Sequence, residues 1–293
     1  MAIDHEFGAQ HTELKLSIIE GYLKAFTRAL KPYFKQLWYI DAFAGTGSRT
    51  VRVEAREGDL FDEPAPERVQ QRRGSAQIAI DVVPKFDHLV FMDTKPTHCA
   101  ALRELRDRHR DRQIIVVEDD ANRAIQAEIA WDGWKHSRAV MFLDPYGMDV
   151  EWKTLEAIAA TEAIDVWFLF SLSGLYRQAT RRSSDIDPGK RAAITRILGT
   201  DAWEKELYSY VDQTDMFDGQ FERQRTADVQ GLEQYVKARL ETIFPKVCGS
   251  LALPVTRKPQ RFSLFLCISN PEPKAIGLAT RIADHILNTG SSS

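Results

Sequence analysis

Apolar positions along the chain recur at two periods, and the alternation of those periods predicts the fold. Leu14, Ile18, Tyr22, Ala25, Phe26 and Ala29 fall at helical spacing. Residues 13–30 therefore read as an amphipathic helix, with Thr12 or His11 at its start and Pro32 past its end. Residues 36–41 form a largely apolar run, as in a strand buried on both faces. Strand-like runs at 88–93, 113–118, 138–143 and 163–171 then alternate with helical stretches at about 75–83, 96–109, 121–131 and 152–161. Such alternation predicts an α/β fold with a mostly parallel sheet and helices on both faces. Two late apolar runs, 250–256 and 262–269, bring the sheet to seven strands, one of them antiparallel. A helix over 273–287 intervenes or closes the chain, and 288–293 read as a frayed tail.

Two stretches break the rhythm. Residues 49–73 hold six arginines and six acids, with Pro64 and Pro66. This polar insertion reads either as a solvated loop or as a lid over a substrate. The second stretch, 177–245, reads as a helical insertion. It opens with an Arg/Ser/Asp-rich link containing Pro188-Gly189 and continues with helices near 190–209 and 229–244. With these two insertions, residues 1–293 read as a single domain, a size one sizeable core can support.

Composition mainly excludes. The net charge of −3 gives no bulk attraction to nucleic acid or an anionic membrane. A local surplus does exist between Arg177 and Arg191, where five basic residues face two acids. Together with Trp134, Lys135, His136 and Tyr176, that stretch is either a phosphate-contacting surface or a solvated face. Cys99, Cys248 and Cys267 are far apart in sequence, so no cysteine-based metal site is indicated; their odd number fits a reduced cytoplasm. Asp4, Glu6 and Glu13 break any early secretory apolar run, and no stretch is long and apolar enough to span a membrane. His98 and His109 share a helix with arginines and read as surface residues.

The chemistry gathers at strand ends. In open α/β sheets, ligands bind beyond the carboxyl ends of the strands. The first strand ends in Asp41-Ala42-Phe43-Ala44-Gly45-Thr46-Gly47, where glycines let the backbone turn and approach a ligand. There is no Gly-x-Gly-x-x-Gly, no Gly-Lys-Ser/Thr and no helix immediately after it, so neither a dinucleotide fingerprint nor a P-loop is present. An acid beside close glycines suits a ligand with an ammonium group and no phosphate, as in S-adenosylmethionine. Asp93 ends the next strand, where a carboxylate can accept ribose hydroxyls. Asp120, in Asp119-Asp120-Ala121-Asn122, can accept from an adenine amino group. Asp93 and Asp120 are equally good helix N-caps. Asp144-Pro145-Tyr146-Gly147 ends the fourth strand and offers a carboxylate acceptor for an exocyclic amine beside a ring that can stack on a base. A plain βα turn with a buried tyrosine is the structural alternative.

In this order, Asp41-x-Phe43-Ala44-Gly45-x-Gly47, Asp93, Asp120-Ala121-Asn122 and Asp144-Pro145-Tyr146-Gly147 resemble the motif series of class I S-adenosylmethionine-dependent methyltransferases. More narrowly, the run from Phe142 to Trp152 followed by Leu155, and a helix restarting at Gly74-Ser75 after a long insertion, resemble the three-Cys-motif partner (TcmP) family. The likeness covers roughly residues 10–270. It implies a Rossmann-like methyltransferase fold, S-adenosylmethionine as cofactor, and a partner protein with a three-cysteine motif encoded by a neighbouring gene. It further implies that Asp41, Phe43, Gly45, Gly47, Asp93 and Asp120 hold the cofactor, with Asp144 and Tyr146 at the acceptor. Asp-Pro-Tyr-Gly is also similar to the fourth motif of amino methyltransferases acting on nucleic acid, which makes RNA or DNA the expected substrate. The alternative is a non-catalytic or cofactor-sensing, partner-binding protein on the same scaffold.

Overall fold

A computed structural model describes residues 2–53, 68–211, 222–254 and 259–290. The first helix, α1 (Ala2–Leu30), starts ten residues ahead of the expected cap. Nothing between Ala2 and His11 is a proline, so no residue there forces a stop. β1 (Gln36–Asp41) follows with the bounds read from its apolar run.

The polar insertion is a correction. Its flanks pair as an antiparallel hairpin, β2 (Ser48–Val53) with β3 (Arg68–Arg73), from Ser48↔Arg73 to Val53↔Arg68. The expected loop with Pro64 and Pro66 at its centre lies outside the described residues. α2 (Ser75–Asp81) comes next, then β4 (His88–Asp93), α3 (Pro96–Arg108), β5 (Ile114–Glu118) and α4 (Ala121–Ile129). A short 3-10 turn, Asp132–His136, leads into β6 (Ser137–Leu143), α5 (Trp152–Ala159) and β7 (Ile164–Ser171).

The second insertion is less helical than its sequence suggests. It contains α6 (Leu172–Gln178), α7 (Pro188–Leu198) and α8 (Trp203–Glu206). It then forms an antiparallel hairpin, β8 (Tyr208–Val211) with β9 (Glu222–Arg225), before α9 (Val229–Leu240). α7 stops at Gly199, whose φ of 68° makes a left-handed C-cap. The chain finishes with β10 (Lys246–Val247), β11 (Leu251–Leu253), β12 (Phe262–Ile268) and α10 (Pro273–Gly290). Residues 255–256 of the expected strand and 291–293 of the expected tail lie outside the described residues.

The main sheet runs β10-β12-β7-β6-β1-β4-β5, with β11 also on β12. β7 lines one side of β12, so β10 and β11 share the other side, giving seven positions across the sheet. β1, β4, β5, β6 and β7 are mutually parallel, and β12 is antiparallel to β7. The α/β fold with one antiparallel strand is therefore present.

Each central strand feeds two cores. Trp38, Ile40 and Ala42 of the β1 segment face one cluster with α4, α5, α6, α7 and α9, while Leu37 and Tyr39 face another with α1, α2, α3 and α10. The strands alternate in side, not in polarity, because both faces are covered. Full burial of a side chain such as Ile18, Ile19 or Leu23 contributes roughly 2 kcal/mol of transfer free energy. The two layers leave the carboxyl ends of β1, β4, β5 and β6 adjacent at one edge.

Candidate functional site

Strand register sets the geometry of that edge. Asp41 is level with Phe91 on one side and Phe142 on the other. Two residues further on, Asp93 and Asp144 therefore flank the level of Phe43. The loop stays tied to both neighbours: Ala42 N donates to Phe142 O at 3.2 Å, and Ala44 N to Met92 O at 3.0 Å. Gly45 N donates to Asp93 Oδ2 at 3.0 Å, joining the first motif to the second.

The two motif glycines are needed for different reasons. Both have positive φ, 59° at Gly45 and 71° at Gly47. A methyl on Gly47 would stand 2.8 Å from Leu105 Cδ2, so this residue lets α3 pack against the turn. No atom lies within 4 Å of where a Cβ on Gly45 would sit, so its face is open space among the described residues. Gly74 N donates to Gly47 O at 3.0 Å, which brings the start of α2 back beside the loop after the hairpin. No helix follows the motif directly, as expected; the helix that restarts at Ser75 is displaced in sequence and restored in space.

Asp41 lies at 0% exposure beneath the loop. Its Oδ1 accepts from Phe43 N at 3.2 Å, and its Oδ2 accepts from Tyr39 OH at 3.4 Å. Burial pushes its carboxyl up to about 7, with Asp144 adding to the rise; bonds from Ser75, Phe43 and Tyr39 pull the other way. Its direct role is to pin the turn.

Asp93 is also mostly enclosed. Oδ1 accepts from Lys95 N at 2.9 Å, and Oδ2 lies 3.0 Å from both Gly45 N and His98 Nδ1. A carboxylate has about four acceptor sites, so roughly one remains for a ribose hydroxyl unless His98 turns away. His98 is a correction to the sequence reading, since it sits inside the site rather than on the surface.

Asp120 is an N-cap, its Oδ1 accepting from Asn122 N at 3.0 Å and Arg123 N at 3.2 Å. Its Oδ2 has no partner among the described residues, so capping and adenine recognition are compatible. Asn122 ties α4 to the loop after β6: its Nδ2 donates to Asp149 O at 2.8 Å, and its Oδ1 accepts from Glu151 N and Thr154 Oγ1, each at 2.9 Å.

Asp144 forms an ion pair with Lys15 of α1. Lys15 is buried, and its ammonium also stands 5.7 Å from the Phe142 ring centre. Sequence reasoning missed this residue. Tyr146 is 75% exposed rather than buried, and Lys95 Nζ lies 4.9 Å from its ring centre. β1 separates β4 from β6 by two strand spacings, about 10 Å. The Lys95–Tyr146 contact therefore joins the loops that follow β4 and β6, the two strands that flank β1. Trp134, Lys135 and His136, grouped by sequence with the 177–191 stretch, lie at the amino end of β6, away from this edge, where Trp134 packs on Trp38 with centroids 5.5 Å apart.

Among the described residues no group of three or more His, Cys, Asp or Glu side chains could hold a metal, and no helix is long and apolar enough to cross a membrane. The three cysteines are buried and unpaired with one another.

No family model and no curated protein sequence matches the chain. Among solved structures, protein LPL1258 of Legionella pneumophila is 13% identical, with a TM-score of 0.48 over 93% of this chain and 92% of its own. An S-adenosylmethionine-dependent methyltransferase from Clostridium acetobutylicum is 10% identical, with a TM-score of 0.35 over 85% and 91%. A conserved hypothetical protein of Streptococcus pyogenes is 19% identical, with a TM-score of 0.30 over 51% and 76%.

Proposed function

We propose that the chain is an S-adenosylmethionine-dependent methyltransferase acting on an exocyclic nitrogen of a nucleic-acid base. The observation that carries this reading is the meeting of four motif ends on four adjacent strands, with Asp93 and Asp144 flanking Phe43 and an open face at Gly45. The carboxylates Asp93 and Asp144 on either side of the turn disfavour a pyrophosphate and favour a ligand with sulfonium and ammonium charges. Gly45 leaves room for the amino acid end, Asp93 keeps an acceptor for ribose, and Asp120 Oδ2 keeps one for adenine.

When bound, S-adenosylmethionine supplies an already activated methyl group. The chain's own work is then positioning. Asp144 accepts a hydrogen bond from the amine and turns its lone pair towards the cofactor side of the mouth. Lys15 holds Asp144 from behind, and Tyr146 offers a ring face to a base outside any stack. Calorimetry should show S-adenosylmethionine binding that Asp120→Ala weakens about tenfold. Labelled methyl should pass to an RNA or DNA pool, and Asp144→Ala should abolish transfer while leaving cofactor binding intact. Absence of cofactor binding by the native chain refutes the proposal.

A second reading is favoured by one observation, the Lys15–Asp144 pair, which already engages the acceptor carboxylate. In that reading the scaffold binds a partner protein, and the sequence resemblance nominates one with a three-cysteine motif from a neighbouring gene. It predicts cofactor binding without transfer to any pool, and co-purification with the partner that survives Asp144→Ala.

A further inference from the structure

Residues outside the candidate cofactor site form a second cationic and aromatic surface. Arg225 N donates to Arg181 O at 2.8 Å, and Arg182 bridges Gln224 in antiparallel sense. Residues 180–182 therefore extend the β8–β9 hairpin into a three-stranded ledge. Directly opposed residues share a face, which places Arg181 with Arg225 and Arg223 with Tyr210. The Arg225 guanidinium lies 4.0 Å from the Tyr176 ring centre and that of Arg223 lies 5.7 Å from Tyr210. With Lys95 on Tyr146, three exposed tyrosines each carry a cation against the ring.

Among the described residues, the Arg223 and Arg225 guanidiniums of the ledge bond to no carboxylate. Arg225 donates to Ala179 O at 2.9 Å and to Ala227 O; Arg223 donates to Tyr208 O at 3.2 Å and to Glu204 O. All four acceptors are neutral carbonyls. The nearby carboxylates are engaged elsewhere, Asp187 with Lys190 and Glu204 with Arg191. Arg177 and Arg181 are exposed. The hairpin tip, with Asp212, Asp215 and Asp218, lies outside the described residues.

The ledge adjoins the acceptor loop. A methyl on Gly174 of α6 would stand 3.2 Å from Met148 Cγ, and Arg196 Nη2 reaches Met148 O at 3.4 Å. Met148 lies two residues beyond Tyr146, and Tyr176 two beyond Gly174.

We propose that this ledge binds the backbone of a single-stranded nucleic acid and leads it to the mouth at Tyr146. The proposal rests on the nucleic-acid reading of the site. Arginines that are not neutralised attract phosphates, and open ring faces stack on bases that a duplex would hide. The test is fluorescence anisotropy with a labelled single-stranded RNA, the matching DNA and its duplex, over a salt series. Arg177→Ala/Arg181→Ala should weaken single-strand binding about tenfold and reduce the salt slope by about 1.4, at ~0.7 per lost contact. Tyr210→Ala should cost at least about fivefold with the slope unchanged. Cofactor calorimetry on each variant should match the native chain, which separates a folding defect from a lost contact. Native affinity in the variants, a duplex bound as well as a single strand, or no nucleic-acid binding at all overturns the ledge. Of these, failure to bind nucleic acid with cofactor binding intact leaves the cofactor reading standing; failure to bind cofactor with ledge-dependent strand binding overturns that reading alone.

Discussion

Asp41→Asn tests the electrostatics beneath the candidate site. The carboxyl ordinarily titrates at 3.8, and burial pushes it up to about 7 in the folded chain. The folded state therefore holds a proton that the unfolded state releases, so stability falls as pH rises between those values and levels off above about 7. A rise of about 3 units corresponds to roughly 4 kcal/mol of destabilisation once the group is ionised in both states. At about pH 5 the same relation gives only about 1.7 kcal/mol. Asparagine keeps the shape: its carbonyl accepts from Phe43 N, and its amide donates towards Tyr39 OH. The variant should thus gain on the native chain by about 2.5 kcal/mol between pH 5 and pH 8. Asp165 is also pushed up by burial, to about 6, but is common to both chains and cancels in the difference. Urea denaturation followed by circular dichroism across that range measures it. Parallel pH profiles for the two chains would refute the claim that desolvation governs Asp41.

Three further substitutions probe the turn and the acceptor. Gly47→Ala forces a side chain into a left-handed φ and against Leu105, so it should lose about 2–4 kcal/mol in urea denaturation. Gly45→Ala meets no neighbour and should lose only about 1 kcal/mol, yet fill the open face and weaken S-adenosylmethionine at least about tenfold by calorimetry. Lys15→Met leaves Asp144 without its partner and should destabilise by about 1–3 kcal/mol, discounted because Asp144 keeps 28% side-chain exposure; Lys15→Met/Asp144→Asn should recover at least half of that loss.

Legibility in the sequence followed burial. β1 and β4 carry the bounds read from their apolar runs because both their faces are covered. β2 and β3 read as loop because Ser48–Val53 and Arg68–Arg73 carry few apolar residues, and they pair only with each other. β8 was absorbed into a helix for a related reason: its four residues are too few to show a period. α6 follows β7 without a loop, so the boundary is marked only by the Ser171 side chain accepting from Gly174 N at 3.1 Å, a cap that a serine ahead of Leu172 could have suggested. At the site, strand-end aspartates were legible as a set, but their surroundings were not. Asp41 and Asp93 share one sequence signal, yet the turn covers the first and leaves the second one acceptor short of full.

Lys15 shows why that limit is physical. On α1 it sits between Leu14 and Leu16, where a lysine ordinarily reads as the edge of a solvated face. Its partner lies 129 residues away and is brought close only when α1 packs along one face of the sheet, with Lys15 at the carboxyl ends of the strands and Tyr22 near the amino end of β7. The pair bears on both functional readings through one count. Lys15 takes one of about four acceptor sites on Asp144, and the Asp144 side chain keeps 28% exposure. A catalyst needs only one of those sites, held in a fixed direction. A scaffold without chemistry needs none, and in that case the lysine could be replaced by an apolar residue at no functional loss. Methyl transfer by the native chain separates them, and transfer by Lys15→Met, measured where the variant remains folded, then tests what the pair contributes. A fall in turnover with unchanged cofactor affinity assigns Lys15 the positioning of Asp144, whereas native turnover leaves the ion pair a matter of packing alone.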